Sequence, residues 1–136
     1  MNPIPTQDQL VDLNEATDAT TPVAVICWEP EKLTKQKSLK FREGFDDLDY
    51  LAFSMLSLPS NRPVTLVRHK NSPSLGTEIC VVPNEPAVAE TLVETIQVLN
   101  LSIDDFSWIH AQYESKIRQA IAASPDELEV YNIVER

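Results

Sequence analysis

Only two glycines occur in the 136 residues, Gly44 and Gly76, and they lie 32 positions apart. An average chain carries about 7% glycine. Phosphate-cradling loops, dinucleotide fingerprints and the G-x-S-x-G elbow all need several glycines close together, because the backbone must turn tightly or approach a ligand. The spacing excludes every one of them. Turns must instead be built from the ten prolines and from Asn and Ser.

The rest of the composition is that of an ordinary globular chain, 43% hydrophobic and 24% charged. A chain of this length buries enough surface to fold as one domain without disulfides. Its two cysteines, Cys27 and Cys80, sit in apolar runs and read as buried thiols of a reducing compartment. The longest apolar run, residues 23–28, is six residues, against the ~20 that span a bilayer. No basic start followed by an apolar stretch opens the chain. A soluble, cytoplasmic protein is expected, with residues 1–21 a mobile polar tail and residues 22–136 a single domain.

Hydrophobic patterning predicts the elements. Residues 23–28 (VAVICW) are continuously apolar and β-branched, as in a strand buried on both faces. Residues 29–37 read as a polar connection. In residues 38–42, Leu39 and Phe41 alternate with Lys40 and Arg42, the pattern of an edge strand. Residues 45–58 carry Leu48, Leu51, Ala52, Met55 and Leu56 at helical spacing behind Asp46 as N-cap. Residues 63–70 and 77–82 form a hairpin, with Pro63 marking an edge strand. Residues 85–100 form an amphipathic helix on Val88, Leu92, Ile96 and Leu99. A second helix covers residues 103–123, opened by Ser102 and Asp105. A short terminal helix carries Leu128, Tyr131 and Val134. The order ββα-ββα-αα predicts an α+β fold on a mainly antiparallel four-stranded sheet. The strands near 23–28 and 77–82 are expected inside.

The net charge of −10 is unevenly spread. Residues 1–31 hold six acids and no base, and residues 71–136 hold eleven acids and three bases. Residues 32–70 hold eight bases and four acids. An acidic chain is repelled by nucleic acid and anionic membrane, so the basic stretch is the exception. Lys37, Lys40 and Arg42 lie on one proposed edge strand and its approach, and Arg68 and Lys70 on the other. They form a candidate docking patch for an acidic partner, or otherwise a lysine-guarded edge. Without interleaved aromatics a nucleic-acid interface is disfavoured. Trp108 points away from the apolar face shared by Phe106 and Tyr113. Flanking helices cover it, or it marks a dimer or partner interface, or residues 103–109 are not helical.

Other chemistry is weaker. Asp46, Asp47 and Asp49, Asp104 and Asp105, and Asp126 and Glu127 all fall in predicted first helical turns, where carboxylates complement orphan N–H groups. A thiolate–imidazole pair of Cys80 and His69 is possible only if they share a face, and a simple hairpin register puts them on opposite faces. A zinc site from Cys27, His69, Cys80 and His110 lacks any short ligand spacing. No catalytic residues, metal or cofactor are expected.

The residues therefore predict a non-enzymatic interaction or adaptor protein, with a homodimer among the assemblies it could form. The alternatives are a small-ligand binder or enzyme with a scattered cleft, or a nucleic-acid accessory protein using the basic strands. The order of hairpins and helices, with the acidity and small size, resembles that of small secretion-chaperone-like proteins. That resemblance implies a chaperone-like binding role.

Overall fold

The computed structural model describes residues 11–13, 20–46, 49–71, 76–82, 87–123 and 134–135. The strands are β1 (Val11–Asp12), β2 (Thr21–Ile26), β3 (Arg42–Phe45), β4 (Tyr50–Ser57), β5 (Pro63–His69), β6 (Thr77–Val81), β7 (Phe106–Ile109) and β8 (Val134–Glu135). The helices are α1 (Pro30–Lys37), α2 (Val88–Leu99) and α3 (Ala111–Ala123), with a single 3-10 turn over Ile103–Asp105. The fold is α+β. Strand order is β1-β3-β4-β5-β6-β2-β7, and β8 pairs with β4. Every pairing from β3 through β7 is antiparallel, giving six strands where four were expected. The two-residue β1 runs parallel beside β3. Thus part of the segment read as a tail joins the sheet, and Leu13 is buried behind it.

Four antiparallel steps separate β2 from β3, so the two strands run the same way. The α1 crossover that such a pair requires lies in the stretch expected to be a plain connection. Its signals were Pro30 at the first turn, Glu31 beside it, and Lys35 and Lys37 in the last turn. Leu33, fully buried, is its sole buried residue. One anchor gives no periodicity to read. Ser38 ends the helix at φ 59°. Residues 38–41 then approach the sheet with Leu39 buried and Lys40 exposed, and the ladder begins only at Arg42.

The helix expected over residues 45–58 is a β3–β4 hairpin. Strand β4 lies inside the sheet, with Leu56 buried on the helix-bearing face and Leu51 and Phe53 on the other. A strand buried on both faces is nearly continuously apolar, and such a run matches a buried helix equally well. Asp46 supplies an N-cap-like bond, its Oδ1 accepting the Asp49 N–H at 3.0 Å, but that bond closes a turn instead of opening a helix. Strand β5 is interior too. Pro63, as its first residue, opposes Ser57 at the ladder's end, where a missing N–H costs little. As expected, β2 and β6 are inside.

All three helices contribute to the main core on one face of the sheet. Leu33, Val88, Leu92, Ile96, Leu99 and Ile117 meet Ile26, Leu56, Val64, Leu66 and Ile79 there. Thr91 and Thr95, buried on α2, donate their hydroxyls to the carbonyls of Ala87 and Thr91. The opposite, far face carries a smaller cluster of Leu13, Leu51, Phe53, Val67 and Cys80. Of the helix predicted over residues 103–123, only the second part exists. Ser102 and Asp105 do form a capping box, but it opens a single 3-10 turn, and β7 follows. Val134, expected in a terminal helix, is in β8; residues 124–133 lie outside the described residues.

Candidate functional site

Cross-strand partners share a face, and successive registers trace one row over the far face. Trp108 opposes Val25, Val25 opposes Glu78, Glu78 opposes Val67, Val67 opposes Phe53 and Phe53 opposes Arg42. Trp108 and Arg42 therefore stand at opposite ends of a six-strand row. Its centre is buried at Val67 and Phe53, and Trp108 is 44% exposed.

A bulge sets the direction of Trp108. Val25 opposes Trp108 while Ile26 opposes Phe106, so Ser107 is an extra residue on β7. Its hydroxyl donates to the Val25 carbonyl at 3.3 Å. Bulges re-aim neighbouring side chains. Here Phe106 packs on the helix-side core while Trp108 opposes Val25 on the far face. The indole meets His110 edge-on at 6.0 Å between centroids, and His110 meets Tyr113 at 5.4 Å. Residues 106–109, expected within a helix, form a strand, and this places Trp108 on the sheet.

Arg42 and Arg68 stand on opposite faces of the sheet. Arg42 lies 5.9 Å above the Phe53 ring on the far face. Arg68 pairs with Ala52 on the helix side, and its Nε lies 3.4 Å from Glu29. Lys70 meets Glu43 at 3.2 Å. Lys37 and Lys32 both stack on Trp28, at 5.1 and 4.3 Å from the ring. Lys40 is exposed just ahead of β3. Acids thus meet Arg68 and Lys70, and two lysines of α1 meet the Trp28 ring.

His69 shows what the hairpin register hid. Thr65, not Leu66, opposes Cys80, one residue away from the simple hairpin. That shift puts His69 and Cys80 on the same face. They still do not form a dyad, because Glu78 stands between them. His69 Nδ1 lies 3.5 Å from Glu78 Oε1, and the Cys80 thiol donates to Glu78 Oε2 at 3.9 Å. Burial, with the Glu78 charge and hydrogen bond, pushes the Cys80 thiol far above its ordinary value, which is the opposite of nucleophile activation. His69 Nε2 meets Asp46 Oδ2 at 2.7 Å, so the ring joins the β3–β4 turn to β6. Beside it the backbone N–H of Asn71, then Tyr50 and the Asn71 side chain, hold the Asp49 carboxyl below its usual range against slight desolvation. Cys27, expected buried, is exposed.

A groove of about 430 Å³ opens between the β4–β5 turn and the α2–α3 pair, floored by Val93 and Ala120 and edged by Arg62, Glu90 and Lys116. Its rim is internally paired. Lys116 meets Glu90 at 2.6 Å, lowering the Glu90 carboxyl, and Ser60 donates twice to Glu94. Among the described residues no helix is long and apolar enough to cross a membrane. No known protein family, curated protein or solved structure matches this chain.

Proposed function

We propose that the protein is a non-enzymatic protein-interaction module, adaptor or chaperone-like, whose contact surface is centred on Trp108. The carrying observation is the 44% exposure of this indole on a strand at the end of the sheet. Tryptophan is enriched among the anchor residues of protein interfaces, supplying large contact area from a stiff side chain. The edge-on contact with His110 orients the ring before any partner arrives, and that lowers the ordering cost of binding. The self-satisfied Asp46–His69–Glu78 contacts and the raised Cys80 thiol weigh against a nucleophilic enzyme.

A second reading, a small-ligand site, is favoured by the groove beside Arg62 and Lys116. One experiment separates the two. Tagged wild-type chain and the Trp108→Ala and Arg62→Ala variants are recovered from the native host, and bound proteins are compared by quantitative mass spectrometry. The interaction reading expects a discrete partner set lost at least about tenfold in Trp108→Ala and kept in Arg62→Ala. Identical recoveries from wild type and Trp108→Ala would sink it.

A further inference from the structure

The edge of β4 is covered in two pieces. Strand β5 occupies one side of β4 over residues 51–57. On the other side β3 covers residues 50–53, and its chain departs ahead of Arg42. The gap beyond is filled by β8, with Glu135 opposite Leu56 and Val134 opposite Ser57. An uncovered edge at this point would present unpaired backbone groups beside an apolar strand, an open template for another chain. The cover is only two residues long.

The stretch of sequence that ends in β8 also differs in charge from the stretch that leads into β3. Residues 124–136 (SPDELEVYNIVER) carry four acids and one base. Lys40 lies in the approach to β3, Arg42 opens the strand, and Lys35 and Lys37 stand just before them in the last turn of α1. Ten residues separate Ala123, the end of α3, from Val134, so the strand is tied to its own domain by a long connection. Backbone pairing of β8 with β4 has the same bonds whichever copy supplies β8. Its own copy is favoured by the effective concentration that a tether gives, on the order of millimolar. Once one strand has crossed, the second crosses within the pair.

We propose that β8 is exchangeable, and that two copies of this chain associate by each laying its C-terminal strand along the Leu56 and Ser57 edge of the other. This pairing is independent of Trp108, which lies on β7 at the other end of the strand order.

Cross-linking tests the exchange in the full chain. Ser57 and Val134 are cross-strand partners, and such Cα pairs fall within about 4.5–5.5 Å, inside the span of a disulfide. Cys27 is exposed and is first replaced by Ser. Chains carrying Ser57→Cys alone are mixed with chains carrying Val134→Cys alone, at ~10 µM and ~1 mM, and mildly oxidised. These two chains can join only in trans. The expected result is a thiol-reducible heterodimer whose share rises at least fivefold between ~10 µM and ~1 mM, well above that of Val134→Cys mixed with Ser115→Cys. The Ser57→Cys/Val134→Cys chain supplies the cis reference. If it closes on itself while the mixture forms no heterodimer above the Ser115→Cys control, β8 is private to its own chain and the proposal fails. If neither closes, β8 does not lie on that edge and the proposal fails as well.

Discussion

The indole N–H of Trp28 donates to Asp105 Oδ1 at 3.1 Å, across 77 residues of sequence. The bond ties the end of β2 to the capping box that opens β7, and Cys27 N–H to Asp105 O at 2.7 Å runs beside it. The other carboxylate oxygen accepts from Ser102 N–H and Oγ. Together these fix the register of the strand that carries Trp108.

Trp28→Phe is therefore expected to remove this bond while keeping an aromatic ring under Lys32 and Lys37. A charge-assisted bond contributes about 1.5–3 kcal/mol, less where solvent reaches it, so a loss of about 1 kcal/mol is expected in urea unfolding. The pH dependence has a definite sign. Desolvation raises the Asp105 carboxyl, but hydrogen bonds from Ser102, Trp28 and Ser102 Oγ outweigh it and hold the group below its ordinary 3.8. A depressed carboxyl adds stability above 3.8 that disappears as pH falls through its lower folded-state value. The gap between wild type and Trp28→Phe should be constant above pH ~5 and shrink as acid protonates Asp105. A gap independent of pH down to acid unfolding would assign the loss to packing.

His69 stands between two carboxylates that are 14% and 27% exposed. His69→Ala leaves Asp46 and Glu78 without the ring between them and should cost about 1–3 kcal/mol. Adding Glu78→Gln should recover part of that loss, because one of the two charges is gone. A double-mutant cycle by denaturant unfolding checks this, and additive losses would mean that the ring does not couple the two acids.

How much of this was legible in the sequence depends on where each side chain faces. The α2 stripe was readable because α2 is buried along one face only, so Val88, Leu92, Ile96 and Leu99 repeat with its period. Strand β2 is readable because five β-branched or small apolar residues in a row, Val23 to Cys27, suit a strand covered on both faces. Strand β4 was not, because burial on both faces erases the period-2 signal and leaves Leu51, Met55 and Leu56 at a helical spacing too. Trp108 stands off the helical stripe of Phe106 and Tyr113 because residues 106–109 are a strand, and Ser107, its bulge residue, has no local signature. The His69–Glu78–Cys80 alignment depended on a one-residue register shift, which reverses every face assignment along a hairpin.

Ser54 on β4 is 2% exposed, and its hydroxyl has no hydrogen-bond partner among the described residues. It opposes Leu66 in the helix-side core. Burying an unpaired hydroxyl costs about 1–3 kcal/mol, while the change to Ala loses almost no volume. Ser54→Ala should raise the urea midpoint, with an unchanged slope and a gain of up to about 1 kcal/mol. A loss instead would reveal a bonded water or backbone partner at the hydroxyl.

Gly76 stands just ahead of β6 at φ +106°, and a Cβ there would collide with the Ile26 carbonyl oxygen. Its own N–H donates to Glu29 Oε1 at 3.1 Å, and the adjacent Thr77 hydroxyl donates to the Trp28 carbonyl at 2.6 Å. The obstacle is backbone, so no side chain can rotate away to make room. Gly76→Ala must therefore move the end of β2 or the start of β6 as well as accept a positive φ. Strained backbone alone costs about 1–3 kcal/mol. The overlap adds to it, so a total loss of at least about 2 kcal/mol is expected. Gly44 makes the contrast: it lies within β3 without a positive φ, so Gly44→Ala should cost less. Thermal unfolding of the two variants side by side checks the order. Equal losses would mean that the turn into β6 relaxes, and that the close approach of Gly76 to Ile26 is not needed to set the β2–β6 register.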